Sequence, residues 1–231
     1  MKISSFATGL SYVRLLEVIT LELTLIRHAH SQGDVDRVVK GGRMEDALSD
    51  KGMKQLGLLK ERLVEERWQF DLVFVSPQRR ARQVAEGVRK ATGAELIPGE
   101  RLKEIDCGDL TGSPFKEAER LYPRPEGGHR SYEPMPGGES VLDQTSRVSS
   151  FFMEMLDKHI NKKLCIVSHG GTMNVIVRLL YGLPATKPRF PGSTHTLRFA
   201  DTSISRFSIS SSDNIVTWYI NDSCHLRGLQ E

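Results

Sequence analysis

The chain is organised around residues 23–31, Leu-Thr-Leu-Ile-Arg-His-Ala-His-Ser, in which a short apolar run ends in three basic side chains. Two later stretches have the same form: residues 72–82, Leu-Val-Phe-Val-Ser-Pro-Gln-Arg-Arg-Ala-Arg, and residues 164–171, Leu-Cys-Ile-Val-Ser-His-Gly-Gly. Each apolar run is predicted to be a β-strand. Ligands of open α/β sheets bind beyond the carboxyl ends of the strands, so the three polar ends predict one common site.

Amphipathic helices are predicted where apolar residues recur at three- and four-residue spacing. One is expected to open with Ser76 as its N-cap and Pro77 at its first position. A capping box at residues 140–143 starts another, in which Val141 is expected to face inward. A further helix is predicted from about Thr172 to before Gly182. The tail is predicted to form a β-hairpin from residues 203–209 and 215–220 around 212–214.

Alternating strands and helices predict a mostly parallel sheet with helices on both faces. Residues 111–138 interrupt the alternation with several prolines and glycines, so they are predicted to form a cap or loop over one end of the sheet. A linker between two domains is the alternative, but neither side has room for a complete second domain. Residues 1–21 are interpreted as an N-terminal extension rather than a secretory signal, since charged residues interrupt them. The domain itself is therefore assigned to residues 22–231.

The composition is that of an ordinary soluble globular protein. The chain has 231 residues, of which 39% are hydrophobic and 26% charged, and such a chain can bury one large core without metal or disulfide staples. The formal net charge of +3 is too weak to indicate a nucleic-acid partner. No apolar run approaches the ~20 residues that span a membrane. The three widely spaced cysteines argue against a disulfide framework or a zinc site and fit a reducing cytoplasm.

Arginines crowd the first turn of the helix that follows residues 72–75. Arg79, Arg80 and Arg82 lie there against the positive end of the helix dipole, which disfavours each cation by roughly a few tenths of a kcal/mol. Residues that go against such a preference at the end of a helix often have a functional role. Helix N-termini bind anions, and arginines placed there make the site suitable for phosphate. On the helical wheel Arg80 borders the apolar face and is placed in the site, whereas Arg79 faces solvent. A solvated basic patch is the alternative for this segment alone.

His28 can be a core histidine, a metal ligand or a nucleophile. Arg27 precedes it, and two glycines follow His169, where they would let a ligand approach the backbone closely. Two arginines and two histidines at one sheet edge would form an electropositive cup for a phosphoryl group. A neutral imidazole in that cup can attack phosphorus, provided that a hydrogen bond to its other nitrogen fixes the tautomer.

The ordered motifs of the chain resemble those of the histidine phosphatase superfamily, the phosphoglycerate-mutase-like enzymes. The segments that carry the resemblance are Arg27-His28-Ala29, Ser76-Pro77-x-x-Arg80-Ala81-x-Gln83, Leu102-x-Glu104, Pro136-Gly137-Gly138-Glu139-Ser140, Val167-Ser168-His169-Gly170, and Asn221-Asp222 before His225-Leu226. Together they extend from about Glu22 to the end of the chain. The resemblance implies a three-layer α/β/α sandwich. It also implies that His28 is the nucleophile and that Arg27, Arg80 and His169 bind phosphate. Glu104 matches the proton donor, with Asp106 as its competitor.

The first loop departs from the family pattern at two positions. Ala29 stands where the family usually has Gly, and its small side chain should be tolerated. Asp34 stands where many members have Asn. A carboxylate beside a phosphate would repel it, so Asp34 is expected either to point away or to mark a different substrate. The predicted substrate-binding residues are Arg27, Ser31, Asp34, Arg80, His169 and Gly170.

These roles imply a metal-independent phosphomonoester hydrolase of the histidine acid type, acting through a phosphohistidine on His28. Glu104 would protonate the leaving oxygen and then activate water. Arginine and histidine supply the cationic clamp that Mg²⁺ supplies in other phosphoryl-transfer enzymes, so neither a cofactor nor a metal is expected. The expected partner is a small phosphorylated substrate, selected by residues 111–138, and neither nucleic acid nor a membrane.

Three alternatives stay open at this point. A phosphoglycerate mutase shares the first step, but mutases of the family carry a longer insert before the second histidine, and residues 135–140 look like the phosphatase branch. A metal-dependent hydrolase would use His28 and His30 with Asp34, Asp36 and His169, although Arg27 beside these ligands would disfavour a cation. Otherwise His30 is expected at the pocket rim. A non-catalytic phospho-ligand module is the third, and the retention of every reactive residue type argues against it.

Overall fold

The computed structural model describes residues 20–126, 128–184, 197–210 and 214–229. The predicted N-terminal extension lies outside the described residues, apart from Thr20 and Leu21, which already belong to the first strand. The predicted hairpin turn lies outside them too, apart from Asn214.

The strands of the described chain form one six-stranded sheet in the order β3-β2-β4-β1-β5-β6. They are β1 (Thr20–Arg27), β2 (Leu72–Val75), β3 (Glu95–Pro98), β4 (Lys163–Ser168), β5 (Ile204–Ser210) and β6 (Ile215–Asp222). The first four pair in parallel, and the tail adds β5 and β6 antiparallel at the side of β1. The mostly parallel sheet and the terminal hairpin are therefore confirmed. Strand β3 was not predicted, because it is a short edge strand that is only half buried and ends in proline.

Helices cover both faces of the sheet. They are α1 (Gln32–Val35), α2 (Asp50–Glu65), α3 (Arg79–Thr92), α4 (Phe115–Leu121), α5 (Val141–Lys158) and α6 (Gly170–Leu180). Three short 3₁₀ helices, Glu100–Leu102, Gly108–Leu110 and Cys224–Leu226, complete the described elements. The sheet has one core against α2 and α3 and another against α5 and α6. This arrangement is the three-layer α/β/α sandwich that the resemblance implies.

The two cores follow from the side-chain period of a strand, in which neighbouring residues point to opposite faces. In β4, Leu164 and Ile166 pack towards α5 and α6, whereas Cys165 and Val167 pack towards α2 and α3. All four side chains are fully buried. A strand covered on both faces needs such a continuous apolar run, and the thiol of Cys165 serves here as a small apolar group.

Three predicted helix details were wrong. The N-cap of α3 is Gln78 rather than Ser76, because the Ser76 backbone still pairs with β4 and its hydroxyl contacts His169. Helix α6 begins at Gly170, before Thr172, because a carboxylate accepts a hydrogen bond from its first turn at Gly171. Val141 is the first residue of α5 and is 41% exposed, so it does not face inward.

The predicted cap, residues 111–138, is described except for Gly127. It contains α4, whose Ala118 packs with Cys107 and Leu110 in a small cluster separate from the two main cores. A separate small core is what a short insertion on a larger domain produces. That these residues cover the site stays a prediction.

Within the described ranges, no helix is both long and apolar enough to cross a membrane.

Two glycines of α2 provide a test of how closely the helix packs on the first loop. A Cβ at Gly52 would overlap the carbonyl oxygen of His30, whereas a Cβ at Gly57 would meet nothing within 4 Å. We expect Gly52→Ala to lower the free energy of unfolding by about 1–3 kcal/mol through overpacking. Gly57→Ala should raise it by about 0.5–1 kcal/mol through helix propensity. Urea unfolding of both variants measures the difference, and effects of equal sign would contradict this contact.

Candidate active site

The register between β1 and β4 brings the two predicted site histidines together. Arg27 is the register partner of Ser168, so the residues that follow them, His28 and His169, leave adjacent strands at the same sheet edge. The His28 backbone N–H donates to the Ser168 carbonyl at 2.9 Å. Both side chains are buried, and their ring centroids are 5.0 Å apart.

A backbone hydrogen bond fixes the tautomer of His28. Its Nδ1 lies 2.7 Å from the carbonyl oxygen of Ala29, which can only accept a hydrogen bond. Nδ1 therefore carries the proton, and Nε2 carries the lone pair. Ala29 itself is fully buried in the core against α2 and α3, where its methyl group fits. The arrangement leaves the lone pair of His28 on Nε2.

His169 has the matching arrangement through Ser76. Its Nε2 lies 2.7 Å from the Ser76 hydroxyl, which also accepts a long hydrogen bond of 3.5 Å from the Gln78 backbone N–H. We assign the hydroxyl as the donor to Nε2, which puts the remaining proton of His169 on Nδ1. That Nδ1 is buried and has no hydrogen-bond partner.

Arg80 is held from the outside by the loop between α1 and α2. Its guanidinium donates to Asp46 Oδ1 at 2.7 Å and to the carbonyls of Met44 and Gly41 at 3.0 and 3.2 Å. The ion pair with Asp46 is almost completely buried. Arg79 is exposed, as the helical wheel predicts. Breaking such a buried pair by removing one partner typically costs about 3–5 kcal/mol, so Asp46 fixes the position of Arg80.

Arg27 is held in a similar way from the opposite side of the site. One terminal nitrogen donates to the carbonyl of Phe199 at 2.6 Å and lies 3.1 Å from a carboxylate oxygen of Asp201. Its Nε is buried without a partner, and it lies 3.9 Å from where a Cβ on Gly170 would stand. The edge of Arg27 that carries Nε therefore faces the start of α6.

Three unpartnered N–H donors of this edge define its chemistry. In the described part of the chain, five buried side-chain polar atoms lack a hydrogen-bond partner, and three of them are Arg27 Nε, Arg80 Nε and His169 Nδ1. Each buried unsatisfied group costs about 1–3 kcal/mol. Donors of one kind that gather in one place suit a ligand that only accepts hydrogen bonds. An anion with several oxygens, such as phosphate, meets that requirement.

Burial and positive charge keep both imidazoles neutral. Burial lowers the pKa of His28 well below its usual value, and His169, Arg27, Arg80 and Lys40 lower it further. Burial likewise lowers the pKa of His169, followed by the charges of Arg80 and Lys40. A neutral His28 keeps its lone pair at physiological pH, as a nucleophile must.

Glu104 is joined to the start of α6, next to His169. Its Oε2 accepts from the Gly171 backbone N–H, and its Oε1 accepts from Gln144 Nε2, both at 2.9 Å. A Cβ at Gly171 would overlap Glu104 Oε1. The sequence analysis expected glycine here to admit a ligand, but Gly171 instead admits this carboxylate. The competing acid, Asp106, lies 2.8 Å from Arg43 in an ion pair.

The remaining predicted substrate-binding residues lie in the first loop and at the start of α6. The Ser31 hydroxyl donates to Asp34 Oδ2 at 2.9 Å, and Asp34 also closes the capping box of α1. Gly170 is the first residue of α6. His30 turns towards α2, with its Nδ1 2.8 Å from the Ser49 hydroxyl. Among the residues that the structure describes, no group of three or more His, Cys, Asp or Glu is arranged to hold a metal.

Several residues that organise the site were missed by sequence analysis. Gln78 is fully buried, donates to the Gly41 carbonyl at 2.9 Å and accepts from the Glu104 backbone at 3.0 Å. Arg147 donates to the Glu104 carbonyl at 2.9 Å and pairs with Glu139. Asp46, which holds Arg80, and Lys40, which pairs with Asp34, also belong to this set. Gln78 lies within residues 72–82, which the sequence analysis assigned to the site. However, its neighbours in sequence do not distinguish a buried Gln78 from an exposed residue at a helix end.

A cavity of about 430 Å³ opens beside Glu104. Its lining includes Arg43, Lys103, Asp106 and Arg147, so it is polar and carries both signs of charge. A larger groove of about 670 Å³ runs along α2, α3 and β3, and it contains none of the predicted catalytic residues. Of the predicted catalytic residues, only Glu104 lines the smaller cavity.

Comparison with known sequences identifies relatives along nearly the whole chain. The family model of the histidine phosphatase superfamily (branch 1) matches residues 23–221. Phosphoserine phosphatase 1 of Hydrogenobacter thermophilus is 31% identical over 174 residues, which cover 72% of this chain and 79% of that protein. The phosphoglycerate mutase of Schizosaccharomyces pombe is 31% identical over 169 residues, covering 70% of this chain and 80% of the mutase.

Solved structures share the fold at lower sequence identity. Mycobacterial hydrolase 1 superposes with a TM-score of 0.73 at 22% identity, covering 88% of this chain and 99% of that one. The alpha-ribazole phosphatase from Shigella flexneri gives a TM-score of 0.73 at 22% identity, with coverages of 87% and 96%. At this identity the likeness establishes the architecture, not the substrate.

The buried histidines predict how stability depends on pH. Below pH ~6.5 the unfolded chain binds protons that native His28 and His169 do not bind, so the free energy of unfolding should fall. The loss begins at the unfolded pKa, continues towards the lowered native one, and amounts to about 1.4 kcal/mol per pH unit for each histidine. Urea unfolding in phosphate-free buffer at pH 7.5, 6.5 and 5.5 measures this slope. His169→Asn should flatten it, and an unchanged slope would contradict the burial of an uncharged ring.

Proposed function

The chain belongs to the histidine phosphatase superfamily, and we propose that it is a metal-independent phosphomonoester hydrolase that acts through a phosphohistidine on His28. One observation carries the proposal: Nε of Arg27, Nε of Arg80 and Nδ1 of His169 are buried without partners, and all three residues act on an imidazole whose Nε2 has a free lone pair. The donors fit the peripheral oxygens of a phosphoryl group, and the lone pair fits its phosphorus.

In the first step, Nε2 of His28 attacks the phosphorus in line with the ester oxygen. The new N–P bond forms as the P–O bond breaks, and a protonated Glu104 gives its proton to the departing alcohol. Arg27, Arg80 and His169 donate to the three oxygens that spread the charge of the transition state. The hydrogen bond from Nδ1 to the Ala29 carbonyl stabilises the positive charge that develops on the ring.

In the second step, Glu104, now a carboxylate, accepts a proton from water as the water oxygen attacks the phosphohistidine. The N–P bond breaks, inorganic phosphate forms, and both His28 and Glu104 return to their starting protonation states. Support for Glu104 over Asp106 comes from its contacts. Glu104 is bonded to the turn after His169, whereas Asp106 is neutralised by Arg43.

Electrostatics support hydrolysis without a metal. Arg27, Arg80 and Lys40 all act on the same two imidazoles and would repel a divalent cation. His30 is engaged with Ser49, so it is not turned towards a shared ligand with His28. We further propose that the natural substrate is a small phosphate ester selected by residues 111–138, and that phosphoryl transfer goes to water rather than back to a substrate hydroxyl.

Metal-independent turnover on His28 gives the first test of the proposed function. Hydrolysis of p-nitrophenyl phosphate should continue at full rate in EDTA. His28→Ala should abolish it, and Arg80→Ala should lower kcat by about 10²–10³, because one charge-stabilising group is lost. Acid-labile, base-stable phosphoprotein should form on the wild type and not on His28→Ala. Activity lost in EDTA and restored by a divalent metal would favour the His28–His30 hydrolase instead.

The choice between Glu104 and Asp106 gives a second test. Glu104→Gln should lower kcat for alkyl phosphates by about 10²–10⁴, because a poor leaving group needs a proton. With p-nitrophenyl phosphate the first step should suffer less, so a burst of nitrophenol should appear while phosphohistidine accumulates. Asp106→Asn is the matched control, with a modest loss and no burst. A burst from Asp106→Asn alone would show that the proton donor is Asp106 and not Glu104.

A further inference from the structure

Lys40 forms a largely buried ion pair with Asp34 in the loop that follows His28. Its Nζ lies 2.6 Å from Asp34 Oδ1 and 3.3 Å from the Ser31 hydroxyl. Only 16% of the Lys40 side chain and 27% of the Asp34 side chain are exposed. An ammonium group has three N–H donors, and these two contacts use two of them. One donor of Lys40 is left over.

The stem of Lys40 is fixed beside the loop that holds Arg80. A Cβ at Gly33 would lie 2.7 Å from Lys40 Cγ, so the absence of a side chain at Gly33 makes room for the lysine. The Gly33 backbone N–H donates to Asp46 Oδ2 at 3.1 Å, while the other oxygen of Asp46 holds Arg80. Lys40 and Arg80 are therefore anchored by the same short segment.

The charge of Lys40 acts on the phosphate site itself. It lowers the pKa of both His28 and His169, and at His169 its effect exceeds that of Arg27. Burial lowers the pKa of Lys40, and Arg80 and Arg27 lower it further. The geometry agrees: Gly33 lies against the Lys40 stem and donates to the carboxylate that holds Arg80, and Lys40 Nζ contacts the hydroxyl of Ser31 in the loop after His28.

Loop stability alone does not account for this pair. Replacing a buried ion pair by apolar side chains is often neutral or stabilising, so Lys40 and Asp34 are not needed merely to hold the loop. An ammonium near two guanidinium groups is also unfavourable without compensation. Asp34 supplies part of it, and a bound phosphate dianion would supply more, because it gains from every cation around it.

We propose that Lys40 is a further phosphate-binding residue of this protein and that Asp34 is its positioning residue. Asp34 keeps the ammonium in place, and the remaining N–H of Lys40 donates to a peripheral oxygen of the bound phosphoryl group. The inference rests on the proposed function. It also resolves the departure at Asp34: the carboxylate expected to repel phosphate is neutralised by a lysine that the same loop provides.

The test compares three variants by calorimetric titration with inorganic phosphate, together with kcat and KM for p-nitrophenyl phosphate. Lys40→Gln should weaken phosphate binding and raise KM by about 10–100-fold, because a charge-assisted donor is lost and Asp34 becomes an unpaired anion. Asp34→Asn should bind phosphate at least as well as the wild type, because the amide oxygen can still accept from Lys40 and so keep it in place, while the negative charge is gone. The double variant should lie between the wild type and Lys40→Gln, because the repelling carboxylate is gone.

Lys90→Gln is the matched control, since Lys90 is an exposed lysine on α3 and its loss should leave phosphate affinity unchanged. If Lys40→Gln does not fold, the double variant against Asp34→Asn isolates the lysine, and about a 10-fold weaker affinity is expected. If Lys40→Gln lowers the free energy of unfolding but leaves the phosphate affinity unchanged, Lys40 only stabilises the loop, and the inference is overturned. The proposed function would fail separately, through a wild type that neither binds phosphate nor hydrolyses the ester.

Discussion

Repulsion between cations at one sheet edge is the constraint on which the site depends. Three basic side chains share an environment with little water, where like charges repel far more strongly than in bulk solvent. The structure gives each of them one carboxylate partner: Asp201 for Arg27 at 3.1 Å, Asp46 for Arg80 at 2.7 Å and Asp34 for Lys40 at 2.6 Å. Asp34 and Asp46 come from the segment between β1 and α2, and Asp201 comes from the segment before β5. These two segments are therefore positioned by the charges that they neutralise.

The pairing leaves the binding capacity of the cations intact. Each carboxylate takes terminal donors, while Nε of Arg27 and Nε of Arg80 keep no protein partner. An anion can then be bound by donors already in position, without a rearrangement that would reduce its affinity. The same field, acting with burial, keeps His28 uncharged and therefore nucleophilic. One arrangement thus serves both the binding of an anion and the chemistry proposed on it.

The carboxylate proposed as the acid is isolated from this network. Glu104 is held by neutral donors, the amide of Gln144 and the backbone of Gly171, and its own backbone is bonded by Gln78 and Arg147. Asp106, by contrast, forms an ion pair with Arg43. The contacts of Glu104 fix its side chain beside the turn that follows His169.

The sequence by itself determined the sheet apart from β3, the terminal hairpin and the helix face that buries Arg80, because these depend on periods of two and 3.6 residues along the chain. It also pointed to His28 and His169, since each directly follows an apolar strand. The carboxylates that hold Arg80 and Lys40 were decided by tertiary structure only.

Asp46 precedes Arg80 by a whole helix and a strand, and Asp34 pairs with Lys40 across a loop without periodicity. The periodicity of the sequence therefore cannot predict either of these ion pairs. The start of α3 at Gln78 was likewise set by tertiary contacts, because Ser76, a good cap by local rules, is occupied by His169. Local sequence preferences determined where the helices and strands lie. Tertiary contacts decided which donor atoms have no protein partner and can bind a ligand.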